Sequence, residues 1–231
     1  VDFHKELSLY GLLGLIQESA WEHAEQLGCG YEAMQRHGLI WALIRQKLEV
    51  VSLPLWGQSV QVRTWLRPAE GFLITRDFSF SQGGEIFCEG ATQYLMLDEA
   101  TRRPARAPLG QEVFYSLERG RFDPQKIASQ NNLPRLAIFP IRTSDLDMHS
   151  HVNNIRIGQW IMDAVPAQAH VAQRLRSYEV DFIAEMHRDE TIALEAAPLF
   201  DGCWHFQGRR VEDSKITFTA RAASAPRTEA L

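Results

Sequence analysis

Apolar and polar positions along the chain change period in a regular order. From Leu12 to Leu27 the apolar residues fall at Leu12, Ile16, Ala20 and Leu27, with Glu18, Glu22 and Glu25 on other faces. That spacing predicts a helix, stopped by Gly28 and Gly30 around Cys29. Strand patterns follow over Gly38–Val51, Ser59–Leu66, Phe72–Ser81 and Glu85–Leu97, the last two joined through Gly83-Gly84, a hairpin signal. Arg102 to Pro134 carries four prolines and no sustained period, so it reads as a linker or covering loop. The pattern then resumes. A short strand is expected at Leu136–Ile141, a helix at Asn153–Val165 ended by Pro166, and strands at Arg176–Glu185, Glu190–Pro198, Cys203–Val211 and Lys215–Ala223. The middle pair of these strands turns at Asp201-Gly202.

Helix followed by strands therefore occurs twice. Leu15-Ile16-Gln17-Glu18-Ser19 matches Trp160-Ile161-Met162-Asp163-Ala164, and Gly57-Gln58-Ser59-Val60 matches Asp189-Glu190-Thr191-Ile192. Glu85-Ile86-Phe87-Cys88 matches Lys215-Ile216-Thr217-Phe218. Three matches in one order point to a duplication, and helix plus antiparallel sheet, repeated, is α+β architecture.

Composition narrows the class. With 24 Lys+Arg against 29 Asp+Glu the net charge is −5 over 231 residues, which disfavours a duplex-DNA binder. Six Trp, twelve Phe and 45% hydrophobic residues supply enough apolar surface for a folded core. The uncharged stretch Leu7–Gln17 is far below the roughly 20 residues of a membrane span. Cys29, Cys88 and Cys203 form neither a disulfide framework nor a zinc pattern. No basic segment with a cleavage site opens the sequence, so a cytoplasmic location is expected.

The densest polar cluster is Asp145-Leu146-Asp147-Met148-His149-Ser150-His151-Val152-Asn153-Asn154, which runs into the second helix. Loop residues there meet exposed backbone N–H groups able to hold a carbonyl oxygen or oxyanion. Asn153 also suits a plain helix cap. The His-x-His pair lacks a third nearby ligand, so no metal is expected. Glu185 is the second candidate. It shares one strand face with Glu179 and Asp181, which as a group would also suit solvent. The repeat places Leu53 at the position of Glu185 and Glu49 at that of Asp181, and nothing like the His-rich loop precedes the first helix. Polar groups thus concentrate in the second half.

Leu146-Asp147-Met148-His149-Ser150-His151-Val152-Asn153-Asn154, the following Trp160-Ile161-Met162-Asp163, and Glu185 before Arg188-Asp189 resemble the catalytic half of acyl-ACP thioesterases. Leu39-Ile40-Trp41 with Arg45, Trp56-Gly57, Val62-Arg63-Thr64-Trp65 and Arg76-Asp77 resemble that family's N-terminal repeat. The likeness runs from about Leu7 to Ala222. It implies a tandem (double) hot-dog fold: residues 1–103 as the acyl-chain repeat, 104–134 as linker and 135–231 as the catalytic repeat. It implies hydrolysis of fatty acyl-acyl carrier protein, without a cofactor, and the family's Asp, His and Glu fall on Asp147, His151 and Glu185. His149 stands where the family carries Asn, and Met186 where plant members often carry Cys. The oxyanion site is expected at the amides of Asn153 and Asn154, and the acyl tunnel at Leu13, Ile16, Trp41, Trp65 and Met96.

Acyl carrier protein is acidic, and so is this chain, so docking requires a local basic patch. Arg102, Arg103 and Arg106, or Arg119, Arg121 and Lys126, would supply one. Homodimerisation is left open. An acyl-CoA thioesterase, a non-catalytic acyl-thioester binding protein and a hot-dog dehydratase with Asp163 as its acid remain the competing readings.

Overall fold

The computed structural model describes residues 1–106, 115–200 and 202–227. It divides into two compact units, Val1–Gln125 and Lys126–Leu231. The residues expected as linker are split between them, and each part is tied to its own unit.

In the first unit, α1 spans Leu9–Gln26, opened by Ser8, whose hydroxyl accepts the Gly11 N–H at 3.1 Å. Its apolar stripe buries Leu9, Leu12, Leu13 and Ile16. It ends where Gly28 takes a φ of +69°, a conformation that carries no Cβ penalty in glycine. A short α2 (Tyr31–Gln35), which the sequence pattern does not reveal, leads into β1 (Leu39–Val50), β2 (Gln61–Leu66), β3 (Leu73–Gln82) and β4 (Glu85–Asp98). These form an antiparallel sheet in the order β2-β3-β4-β1. The turn between β3 and β4 has positive φ at both Gly83 and Gly84, as a two-residue hairpin loop of this hand requires.

The second unit holds β5 (Arg135–Pro140), α3 (Ile155–Ala164), α4 (Ala167–Ala172), β6 (Gln173–Phe182), β7 (Thr191–Phe200), β8 (Cys203–Arg210) and β9 (Ile216–Pro226). Its sheet order is β5-β7-β8-β9-β6. Without β5, this order matches that of the first unit strand for strand, so the duplication read from short sequence matches is present in the topology. Each sheet also sets a phenylalanine against a glycine on the neighbouring strand. A Cβ at Gly90 would lie 2.4 Å from the Phe78 ring, and one at Gly208 would lie 2.2 Å from the Phe218 ring. The rings occupy the space that a side chain would need. On α3, Trp160 stacks on Phe139 of β5 with ring centroids 5.4 Å apart, fixing the helix over this sheet. Among the described residues no helix is long and apolar enough to cross a membrane.

Segment 115–125 is held to the first unit by a buried charge network. Arg67 donates to both carboxylate oxygens of Asp77 at 2.7 Å, to the Phe122 carbonyl at 2.6 Å, and to Asp123. Asp77 also accepts the Gly120 N–H at 2.9 Å. The hydrogen bonds to Asp77 outweigh burial and hold the Arg67 guanidinium protonated more firmly than usual. On the other side of residue 125, Ile127 is buried, donates its N–H to Asp181 at 2.9 Å and accepts from the Thr219 hydroxyl. Gln130 and Gln207 exchange two hydrogen bonds at 3.0 Å. Asp181 is therefore an interior anchor and not one of a solvent-facing row of carboxylates.

Candidate active site

The polar cluster forms a compact loop because Asp147 folds it. Its Oδ1 accepts the backbone N–H of His149 at 2.8 Å and of His151 at 3.3 Å, while its own N–H donates to the His151 carbonyl. An aspartate that accepts amides two residues on makes an Asx turn, and Ser150 takes a φ of +61° to close it. Behind the loop, Asp145 accepts the Arg142 N–H at 2.8 Å and faces Arg156 at 3.7 Å. The loop is thus pinned at both ends before any substrate contact is considered.

The helix begins at Ile155, two residues later than expected, since Asn153 and Asn154 form the turn into it. Asn153 Oδ1 accepts the Ile155 N–H at 3.1 Å, and the Asn153 carbonyl accepts that of Arg156. The Asn153 N–H is itself donated to the Asp145 carbonyl at 2.8 Å, so it is not available to an oxyanion. Among the described residues the Asn154 amide has no acceptor, and it is the surviving candidate donor at this helix start.

Glu185 does not lie on a strand. β6 ends at Phe182, and Ile183 and Ala184 both donate to the Thr217 carbonyl, which turns the chain out of the sheet. Beyond this, Met186 is buried between exposed Glu185 and His187. Arg210 clamps the turn by donating to the Glu185 carbonyl at 2.8 Å and pairing with Glu190 at 3.2 Å. The His187 N–H donates to Glu190 Oε2 at 2.9 Å.

An isolated antiparallel bridge joins His151 to His187, and the Val152 N–H donates to the Met186 carbonyl. That bridge brings the two halves of the site together. His151 Nε2 lies 3.6 Å from Glu185 Oε2, with the carboxylate side chain 47% exposed. The separation exceeds a hydrogen bond, so both groups can face a common small molecule. The His151 and His187 rings meet edge to face with centroids 4.9 Å apart. His149 is exposed.

No sequence pattern singles out His187. The available signal was its place two residues after Glu185, because residues i and i+2 share a side of an extended chain. Cys29, Cys88 and Cys203 are all buried and unbridged, and burial pushes each of them up from its ordinary range.

The expected tunnel residues separate into two groups. Leu13, Ile16 and Met96 are buried. Trp41 packs between the cluster of Cys29, Met34, Leu39 and Met96 and that of Leu66 and Ile74, and its Nε1 donates to the Cys29 carbonyl at 2.9 Å. Trp65 lies on the opposite face of β2 from buried Leu66, with Arg63 over its ring at 4.7 Å and the Glu118 carbonyl accepting its Nε1. Of the basic residues, Arg119 faces Glu70 at 2.7 Å and Arg121 faces Glu89 at 3.4 Å. Arg102, Arg103, Arg106 and Lys126 are exposed.

The fold has close counterparts among solved structures. An acyl-ACP thioesterase from Bacteroides thetaiotaomicron superposes with a TM-score of 0.91 at 21% identity, covering 97% of this chain and 93% of that one. The 12:0-ACP thioesterase from Umbellularia californica gives a TM-score of 0.85 at 20% identity, with 98% and 93% coverage. These likenesses establish a hot-dog α+β architecture. The family follows from the sequence: the acyl-ACP thioesterase N-terminal domain matches residues 1–113 and the C-terminal domain residues 129–220. The chain belongs to the acyl-ACP thioesterase family. A chloroplastic acyl-[acyl-carrier-protein] hydrolase of Cuphea viscosissima is 26% identical over 202 residues, which is 80% of this chain and 49% of the relative. The chain spans about half the length of curated relatives such as this one.

Proposed function

We propose that this protein hydrolyses the thioester of fatty acyl-acyl carrier protein, releasing the free fatty acid and the carrier thiol. The observation that carries the reading is the approach of the His151 imidazole to the Glu185 carboxylate at 3.6 Å, in a chain of this family. Glu185 takes a proton from a water molecule directed at the thioester carbonyl carbon. The carbonyl oxygen gains negative charge as the C–O bond forms, and the Asn154 N–H stabilises it at the helix start. The tetrahedral intermediate then expels the carrier sulfur, and His151 supplies the proton that makes the leaving thiol neutral. Asp147 is a positioning residue. Its carboxylate fixes the His151 backbone rather than touching the acyl group.

Leu13, Ile16, Trp41 and Met96 are the proposed contacts of the acyl chain, as apolar walls suit such a ligand. Trp65, covered by Arg63, is set aside. Arg102, Arg103 and Arg106, or Arg119, Arg121 and Lys126, all exposed, are the proposed meeting points for the acidic carrier. The carrier is tested by offering one acyl chain on acyl carrier protein and on CoA. A higher kcat/KM on the protein carrier supports the assignment, and a clear preference for CoA contradicts it.

His149 replaces the amide that the family pattern leads one to expect. Because its side chain is exposed, His149→Asn should retain or raise turnover. A loss as large as that from removing Glu185 would give His149 an indispensable role of its own.

A further inference from the structure

We propose that His151, Glu185 and His187 together bind one divalent transition-metal ion of the zinc type, and that its binding inhibits hydrolysis. One ligand atom from each of these side chains lies within 4.8 Å of the other two. Tetrahedral zinc with bonds of about 2.1 Å needs ligand atoms about 3.4 Å apart. His151 Nε2 and Glu185 Oε2 already stand at 3.6 Å, and the third ligand closes by rotation of the exposed His187 ring.

The ligands are placed by backbone and not by chance proximity of long side chains. The antiparallel bridge sets His151 opposite His187. Asp147 holds the His151 N–H and Glu190 holds that of His187, so both histidines leave a fixed frame. Glu185 and His187 project to one side because buried Met186 separates them.

The donor set selects the ion. Two imidazoles and one carboxylate suit zinc, cobalt or nickel, whereas magnesium and calcium require mostly oxygen. Nearby cations are themselves offset. Arg210 faces Glu190 at 3.2 Å and Asp213 at 3.5 Å, and Arg188 faces Asp189 at 3.6 Å. Three protein ligands would leave a fourth position to solvent.

Inhibition rests on the hydrolytic reading above, since the metal would occupy the Glu185 lone pair that takes the water's proton and the His151 nitrogen that must carry the leaving group's proton. Binding does not rest on it.

The test uses the full chain without an affinity tag. Cobalt(II) titration should develop the visible absorption of a tetrahedral site, saturating at one equivalent and bleached by zinc. His187→Gln and Glu185→Gln, checked for folding by circular dichroism, should each weaken that binding at least about tenfold. Magnesium should not compete. Zinc should then lower wild-type hydrolysis over the range in which it displaces cobalt. In His187→Gln, inhibition relative to that variant's own zinc-free rate should need at least about tenfold more zinc. No saturable cobalt signal, or a signal unchanged in both variants, overturns the site. Saturation with unchanged or raised hydrolysis overturns the inhibitory role. Because the cobalt signal is read without substrate, a protein that binds the metal but hydrolyses no thioester refutes the hydrolytic reading and leaves the site standing.

Discussion

Glu185→Gln should lower kcat by about 10²- to 10⁴-fold, the range that a positioned general base contributes. KM should change far less, because the loss falls on a step after binding. The fold should survive, for physical reasons visible around the residue. Its side chain is about half exposed, and the bond that fixes the local turn runs from Arg210 to the Glu185 carbonyl, which the substitution keeps. A steady-state assay on acyl-acyl carrier protein, with circular dichroism beside it, reads both quantities. Turnover within a few-fold of wild type in a folded variant would remove Glu185 from the role of base.

The second large effect concerns stability. Asp77 is 1% exposed and receives two hydrogen bonds from Arg67 and one from Gly120. Asp77→Ala leaves the Arg67 guanidinium buried with its principal partner gone. Breaking one side of a buried pair costs about 3–5 kcal/mol. In a chain of this size that lowers the melting temperature by about 6–20 °C. The same change releases Gly120 and so loosens segment 115–125. Replacing both charges, as in Arg67→Met with Asp77→Leu, should cost much less than the sum of the single changes, since no unpaired charge remains. Equal melting of wild type and Asp77→Ala would show that the network contributes little.

Much of this architecture is legible in the sequence because it is periodic. α1, the Gly83-Gly84 hairpin and the clean alternation from Ile216 onward each repeat one physical requirement along the chain, and each stands within a few residues of its expected place. The duplication inferred from the short internal matches likewise recurs in the strand order of the two sheets.

Features set by long-range pairing are less legible. Glu185 reads as a strand residue because Val180 and Phe182 continue the alternation up to it, yet two bonds to the Thr217 carbonyl end the strand first. Asp181 reads as an exposed carboxylate, and only the fold brings the Ile127 amide to it. The covering loop has no period because its bonds go to side chains on other segments, such as Asp77 and Gln207. His187 carries no pattern of its own, and it enters the site through one bridge to a residue 36 positions earlier.

The His-rich loop shows both sides of this. Its residue types are conspicuous in the sequence, and His151 and Glu185 do come together. Local hydrogen bonding assigns the Asn153 amide to Asp145 and leaves the Asn154 amide at the helix start.

The central claim is thioester hydrolysis, and its most direct test is to identify the products of the protein with acyl-acyl carrier proteins of several chain lengths. Catalytic release of free fatty acid with one carrier thiol per acyl group, lost in Glu185→Gln, is the expected result. Stoichiometric binding of intact acyl-acyl carrier protein, with no fatty acid released at any chain length, would contradict it.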